Sequence, residues 1–339
     1  MVKALVTGGA GFIGSHLVER LLSDGHQVTI LDNLSTGRLQ NLADVKSHPD
    51  LSVHQADITK HAEISPLFTN VEWVFHLAGM ADIVPSIRDP LSYQEANVSG
   101  TMSVLEAARA VGAARFIYAA SSSCYGIPEE YPTPETAELR PMYPYALTKY
   151  LGEQCTLHWN KVYQMPCLSL RLFNVYGPRS RTSGAYGAVF GVLLAQKLAG
   201  KPLTIVGDGE QTRDFTFVTD VATAMVSAAE SDAEGEALNV GSGGTYSINY
   251  LAGLIGGKSI HIPKRPGEPD STFADTRKIK DLLGWQPRVG FENGVRIMLD
   301  NIHHWQDAPV WDAEGISKET KDWFKYLGEP DKHQTSTQL

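Results

Sequence analysis

In the first half of the chain, short apolar and β-branched runs alternate with longer stretches whose apolar residues recur at helical spacing. KALVTGG, HQVTILDN, LSVHQADI, EWVFHLAG, ARFIYAAS and CLSLRLFN read as strands. IGSHLVERLLSDG and NVSGTMSVLEAARAVG read as helices, the second closing on a glycine as helix C-termini often do. Strand–helix alternation at this spacing implies βαβ units, and so a parallel sheet with helices on both faces. The predicted fold is a doubly wound α/β domain.

The texture changes after about residue 174. NVYGPRSRTSGAYG is rich in glycine, arginine and serine, and AVFGVLLAQKLAG after it reads as an apolar helix. KPLTIVGDGEQTRDFTFV, a further helix, EALNVGSGG and the loop PKRPGEPDST follow. Shorter elements carrying several basic residues suit a smaller domain that closes on a ligand. The expected division is residues 1–173 for the first domain and 174–328 mainly for the second, with some segments returning to the first. Residues 329–339 are expected to be a flexible tail.

Composition narrows the classes. A chain of 339 residues has room for a sizeable core, and 42% apolar with 20% charged residues is ordinary for a soluble globular protein. A net charge of −9 argues against nucleic acid or an anionic membrane as the main partner, while leaving room for a small anion held by local arginines. The apolar runs are too short to span a bilayer. MVKALVTGG lacks the apolar core of a signal peptide. Cys124, Cys155 and Cys167 are too few for a disulfide framework or a zinc site, so free thiols in the cytoplasm and no metal are expected.

GGAGFIG follows the first strand and opens the first helix, setting Gly8, Gly11 and Gly14 at GxxGxxG spacing around Phe12 and Ile13. Glycines there permit a tight turn and close approach of backbone to a pyrophosphate on the positive end of the helix. The second strand ends in Asp32, whose carboxylate can accept from an adenosine ribose and repel a 2′-phosphate. The context predicts a dinucleotide site, with NAD(H) expected over NADP(H). Asn33 and Arg38 stand close by, and an arginine there can receive a 2′-phosphate. Asp57 and Ile58 are expected at the adenine edge. Leu77, Ala78 and Gly79 of the HLAG loop are expected by the pyrophosphate and ribose.

YPYALTKY holds the one tyrosine of thirteen with a lysine four residues on, Tyr145 and Lys149. On a helix these share a face. Beside an oxidised nicotinamide, the lysine ammonium should lower the phenol's pKa so that it can take a proton from a substrate hydroxyl. Ser121, Ser122 and Ser123 end another strand and offer a hydroxyl to the same group.

TGGAGFIGSHL, LDNLSTG, NVSGT, SSSCYG, YPYALTKY, RLFNVYGPR, GDGEQTRDFTFVTDV and the late RPGEP…ADTRKIKDLLGW occur in that order. With them the chain resembles, nearly end to end, the extended short-chain dehydrogenase/reductases, and among these the nucleotide-sugar epimerases and dehydratases. The resemblance implies a Rossmann domain holding NAD and a smaller domain for a nucleoside diphosphate sugar. It makes Tyr145 the general base, Lys149 its partner and ribose ligand, and Ser121 the third member of the set. It puts Asn97 and Phe173 near the cofactor. The substrate set it implies is Ser121, Ser122, Ser123, Asn174, Val189, Arg213, Arg265, Asp270 and Thr272, with the two arginines clamping the diphosphate. Gly79 departs from the alanine commoner in that loop, which should loosen the backbone.

Relatives that eliminate water carry an Asp–Glu pair after the serine, and decarboxylating relatives usually a glutamate at the second place. Here both places are serine. The expected reaction is therefore C4 epimerisation of a UDP-sugar. A dehydrogenase, another nucleotide-sugar-modifying enzyme or a non-catalytic NAD sensor are the alternatives. Thr272 falls where the resembling epimerases place a tyrosine or a smaller residue against C2 of the sugar, so an N-acetylhexosamine or its uronic acid is expected to fit alongside glucose and galactose. The helices at 90–110 and 145–160 carry surplus apolar residues (Leu91, Val98, Met102, Val104, Leu147, Leu151), which with the resemblance predicts a homodimer.

Overall fold

The computed structural model describes residues 1–180 and 188–328; the expected tail lies outside them. Seven strands form one parallel sheet: β1 (Lys3–Thr7), β2 (Gln27–Asp32), β3 (Leu51–Gln55), β4 (Trp73–His76), β5 (Arg115–Ser121), β6 (Cys167–Leu172) and β7 (Glu236–Val240). Their order is β7-β6-β5-β4-β1-β2-β3. The order in which strands are added reverses between β1 and β4, and the crevice beyond the carboxyl ends of such a parallel pair is where open α/β sheets bind ligands. β4, β5 and β6 are almost wholly buried because helices cover both faces, whereas β3 is an exposed edge.

Helix α1 (Phe12–Ser23) buries Leu17, Val18, Leu21 and Leu22 on one face of the sheet. The opposite face is covered by α2 (Gly100–Ala110) and α3 (Pro144–Tyr163), with Val104, Leu105 and Trp159 in its core. Farther along lie α4 (Val189–Leu198) and α5 (Val218–Glu230). α5 packs on α1, and β7 extends the main sheet beside β6, so both belong to the first core although they follow residue 174.

The remaining elements surround an aromatic core. Tyr176 stacks on Phe190 at 4.6 Å, and Phe215 on Phe291 at 5.2 Å. Two-stranded ladders, Leu203–Val206 with Ser259–Ile262 and Thr212–Arg213 with Tyr246–Ser247, frame this unit. The buried Asp214 carboxylate ties its loops together, accepting from Ser242 N (2.6 Å), Ser242 Oγ (2.7 Å) and Ala274 N (3.0 Å). Among the described residues no helix is long and apolar enough to cross a membrane.

Candidate active site

A cavity of about 1140 Å³ runs from the β1–α1 turn, past the ends of β4 and β5, to the aromatic unit. At its start Gly8 has φ +71° and an added Cβ would lie 2.8 Å from Ala78 N, while one on Gly14 would strike the Gly8 carbonyl oxygen. Only glycines let β1, α1 and the HLAG loop come this close. Gly11, Phe12, Ile13 and Gly14 line the cavity at the N-terminal end of α1, where unsatisfied backbone N–H groups and the helix dipole favour an anion.

Asp32 also lines the cavity and is held in place by backbone: Ala10 N donates to one carboxylate oxygen at 3.0 Å and Leu34 N to the other at 2.8 Å. Burial raises its pKa, and the two N–H groups oppose this. Asn33, Asp57, Ile58, Leu77, Ala78 and Gly79 line the same stretch. Arg38 does too, and its guanidinium donates to Asn41 Oδ1 at 3.4 Å. Close glycine backbone, a helix start and a buried carboxylate in one cleft fit a dinucleotide.

The HLAG loop owes its position to a chain of hydroxyls and one imidazole. Thr101 donates to Asn97 O at 2.6 Å, so it accepts from His76 Nε2 (2.9 Å); His76 Nδ1 then accepts from Thr7 (2.7 Å). Thr7 Oγ1 in turn accepts from Leu77 N and Ala78 N, both at 3.2 Å. Burial, then the nearby Lys149 charge, lowers the His76 pKa to about 3, so the ring stays neutral.

At the sheet end, Tyr143 is extended, Pro144 starts α3, and Tyr145 and Lys149 follow on the cavity side. Ser121 stands near enough to the Tyr145 phenol to oppose the rise of its pKa. Ser121 Oγ is 2.8 Å from Ser123 Oγ, and Ser123 stands near the Tyr143 phenol. The two tyrosine rings stack at 6.3 Å with 11° between planes. Four hydroxyls thus gather beside the cavity.

The lowering of the Tyr145 phenol is expected beside an oxidised nicotinamide; in the protein chain alone the balance differs. Burial raises its pKa, and Ser121 rather than Lys149 opposes the rise. Burial brings Lys149 down to about 7, with Glu153 opposing, and its Nζ lies 4.3 Å over the Tyr118 ring.

Ser122, Ser123, Asn174, Val189, Arg213, Arg265 and Thr272 all line the far half. Arg213 donates to Glu268 Oε1 at 3.0 Å and Arg265 lies 3.9 Å from Glu268 Oε2, so two distant segments converge on one carboxylate. Thr272 gives its proton to Asn174 Oδ1 (2.7 Å) and accepts from Asp214 N (3.1 Å). Toward a sugar amide it can only accept.

Three expected residues do not line the cavity. Asn97 is buried behind the HLAG loop and bonds Met80. Phe173 packs with Cys124, Tyr125 and Ala274. Asp270 pairs with Lys264 at the exposed surface. Among the lining residues that sequence reasoning missed are Tyr143, Glu268 and Trp323. The first two stand inside quoted motifs beside an expected site residue; Trp323 carries no motif.

Fold and site together define an α/β enzyme with a dinucleotide cleft and a Ser–Tyr–Lys set at its reacting end. A family model described as GDP-mannose 4,6 dehydratase matches residues 5–298, and the chain belongs to this family of extended short-chain dehydrogenase/reductases. It is 38% identical over 304 residues to a UDP-glucose 4-epimerase of Mycolicibacterium smegmatis, covering 87% of this chain and 96% of that protein. The UDP-glucuronic acid 4-epimerase of Bacillus cereus, solved with UDP-glucuronic acid and NAD, superposes with a TM-score of 0.83 at 32% identity, covering 89% and 99% of the two chains. A UDP-N-acetylglucosamine 4-epimerase of Methanobrevibacter ruminantium M1, in complex with UDP-N-acetylmuramic acid, gives 0.83 at 31%, covering 89% and 98%.

Proposed function

We propose that this protein is an NAD-dependent epimerase acting at C4 of a UDP-sugar. The observation that carries the reading is the Ser121–Tyr145–Lys149 set, continuous with a dinucleotide cleft and followed by Ser122 and Ser123 where a dehydratase needs carboxylates. NAD would be held by Gly8, Gly11, Gly14 and Asp32, and when bound would supply a reversible hydride acceptor for C4.

Tyr145 exchanges the proton of the 4-hydroxyl. Ser121 orients that hydroxyl, and Ser123 and Tyr143 extend the proton path. Lys149 holds the ribose and, once protonated, favours the phenolate. Arg213 and Arg265 hold the diphosphate, which exchanges for the Glu268 carboxylate. The keto sugar turns about this fixed diphosphate and presents its other face.

Thr272 leaves the C2 side open, so UDP-N-acetylhexosamines and their uronic acids fit beside UDP-glucose and UDP-galactose. Three unpaired cysteines favour the cytoplasm. The protein works as a homodimer through α2 and α3, whose Met102, Leu147 and Leu151, with neighbouring Leu91, are exposed. Val104 is not part of that face: two residues from Met102, it points into the core. A monomer by light scattering at micromolar concentration would remove the dimer.

The test of function is incubation with UDP-, dTDP-, GDP- and CDP-sugars followed by product separation. C4 epimers of UDP-sugars are expected, with NADH at a low, constant level. A 4-keto-6-deoxy sugar, carbon dioxide or stoichiometric NADH would replace the reading with dehydration, decarboxylation or dehydrogenation.

A further inference from the structure

The segment past residue 298, where the family match ends, returns to the cavity and gives it Trp305, Trp311 and Trp323. Its last two helices, Ala313–Glu319 and Lys321–Leu327, are fastened on both sides. On the sheet side, Arg88 donates to Glu319 Oε1, to the Glu319 carbonyl and to Asp322 Oδ2, each at 2.7 Å. Toward the substrate half, Trp323 Nε1 donates to the Pro266 carbonyl at 2.7 Å. The Arg265 guanidinium carbon lies 5.5 Å over the Trp323 ring, and the Tyr143 ring centroid is 6.2 Å away. A Cβ on Gly267 would meet Met142 Cε at 3.2 Å and Leu327 Cβ at 4.0 Å, so this loop is seated between the α3 entry and the last helix.

One indole therefore engages the Pro266 carbonyl, the guanidinium proposed to hold the diphosphate, and the tyrosine stacked on Tyr145. Mere filling of space needs none of these three directed contacts. We propose that residues 313–327 form a strap over the cavity and that Trp323 is a positioning residue. It fixes the spacing between the Arg265–Glu268 loop and the Tyr143–Tyr145 turn, and so holds diphosphate and reacting sugar in register. This rests on the nucleotide-sugar reading. A keto sugar that must turn over before taking its hydride back has to be kept from leaving, and small losses of register are costly in such steps.

The test uses the purified full-length protein and three variants. Arg88→Ala unfastens the strap without altering a cavity-lining residue. Trp323→Phe keeps a ring but removes the N–H, and Trp323→Ala removes both. UDP affinity by calorimetry, bound NAD content, melting temperature and NADH absorbance during turnover are measured for each. Trp323→Ala should weaken UDP binding ~5–30-fold, with Trp323→Phe and Arg88→Ala between it and wild type. KM should rise more than kcat falls, and NADH should accumulate as keto sugar escapes, while NAD content and melting in Arg88→Ala stay unchanged. Unaltered UDP affinity and NADH level in Arg88→Ala and Trp323→Ala would overturn the strap's role alone. So would a parallel fall of UDP affinity, NAD content and melting temperature, the mark of a structural role. A wild type that binds no UDP would overturn the nucleotide-sugar reading and the strap with it.

Discussion

A Cβ added to Gly79 would lie 2.7 Å from Asn97 Oδ1. That oxygen accepts from Met80 N at 2.7 Å, and the amide nitrogen of Asn97 donates to Met80 O and to Thr148 Oγ1, both at 3.0 Å. The glycine expected to loosen this loop instead leaves room for the side chain that holds it. Gly79→Ala should push Asn97 off Met80 and cost about 1–3 kcal/mol, as overpacking does. The expected result is a lower melting temperature and weaker NAD binding; an alanine variant equal to wild type in both would show that Asn97 has room to move.

Tyr145→Phe removes the phenolic oxygen near Ser121 but keeps the ring against Tyr143. Turnover should fall ~10²–10⁴-fold, the usual cost of losing an acid–base group. NAD content and melting temperature should hold. Near-wild-type turnover would assign the proton transfer elsewhere.

Stability should rise with pH in two separate windows. His76 is lowered from 6.5 to about 3 by burial and by Lys149, and Lys149 from 10.5 to about 7 by burial against Glu153. In each case the unfolded chain holds the proton over the range where the folded chain has lost it, so stability is lost as pH falls through that range. Urea denaturation should show a pH slope below 6.5 that His76→Asn reduces, and one between 7 and 10.5 that Lys149→Met reduces. Unchanged slopes in the variants would mean that other groups carry the linkage.

Thr272→Tyr should fill the space beside Asn174, to which Thr272 bonds at 2.7 Å. Activity on UDP-GlcNAc should drop much more than activity on UDP-glucose. A tyrosine variant that keeps its N-acetyl activity would place the selectivity elsewhere in the cavity.

How much the sequence revealed depends on how local the cause was. Strands β1 to β6 were legible because buried apolar runs and glycine turns are written in adjacent residues. β7 was harder: EALNVGSGG stands among the short elements of the second half, and its place beside β6 depends on pairing across more than sixty positions, Leu168 with Glu236 through Leu172 with Val240. The same holds for the site. Gly8, Asp32, Tyr145 and Lys149 sit in compact motifs, whereas the convergence of Arg213 and Arg265 on Glu268 and the reach of Trp323 to Pro266 are tertiary facts. The i,i+4 spacing of Tyr145 and Lys149 shows that they share a face but not how deeply they lie, and burial is the largest influence on both in the protein chain alone.

The most direct test of the mechanism follows the hydrogen at C4. A UDP-sugar carrying deuterium at that carbon is incubated with the enzyme in ordinary water until the epimers equilibrate, and both are examined by NMR and mass spectrometry. If the hydride taken from C4 is the one returned to its other face, both epimers keep their deuterium at C4. Loss of the label to solvent, its appearance at another carbon, or its accumulation in free reduced cofactor would contradict the account.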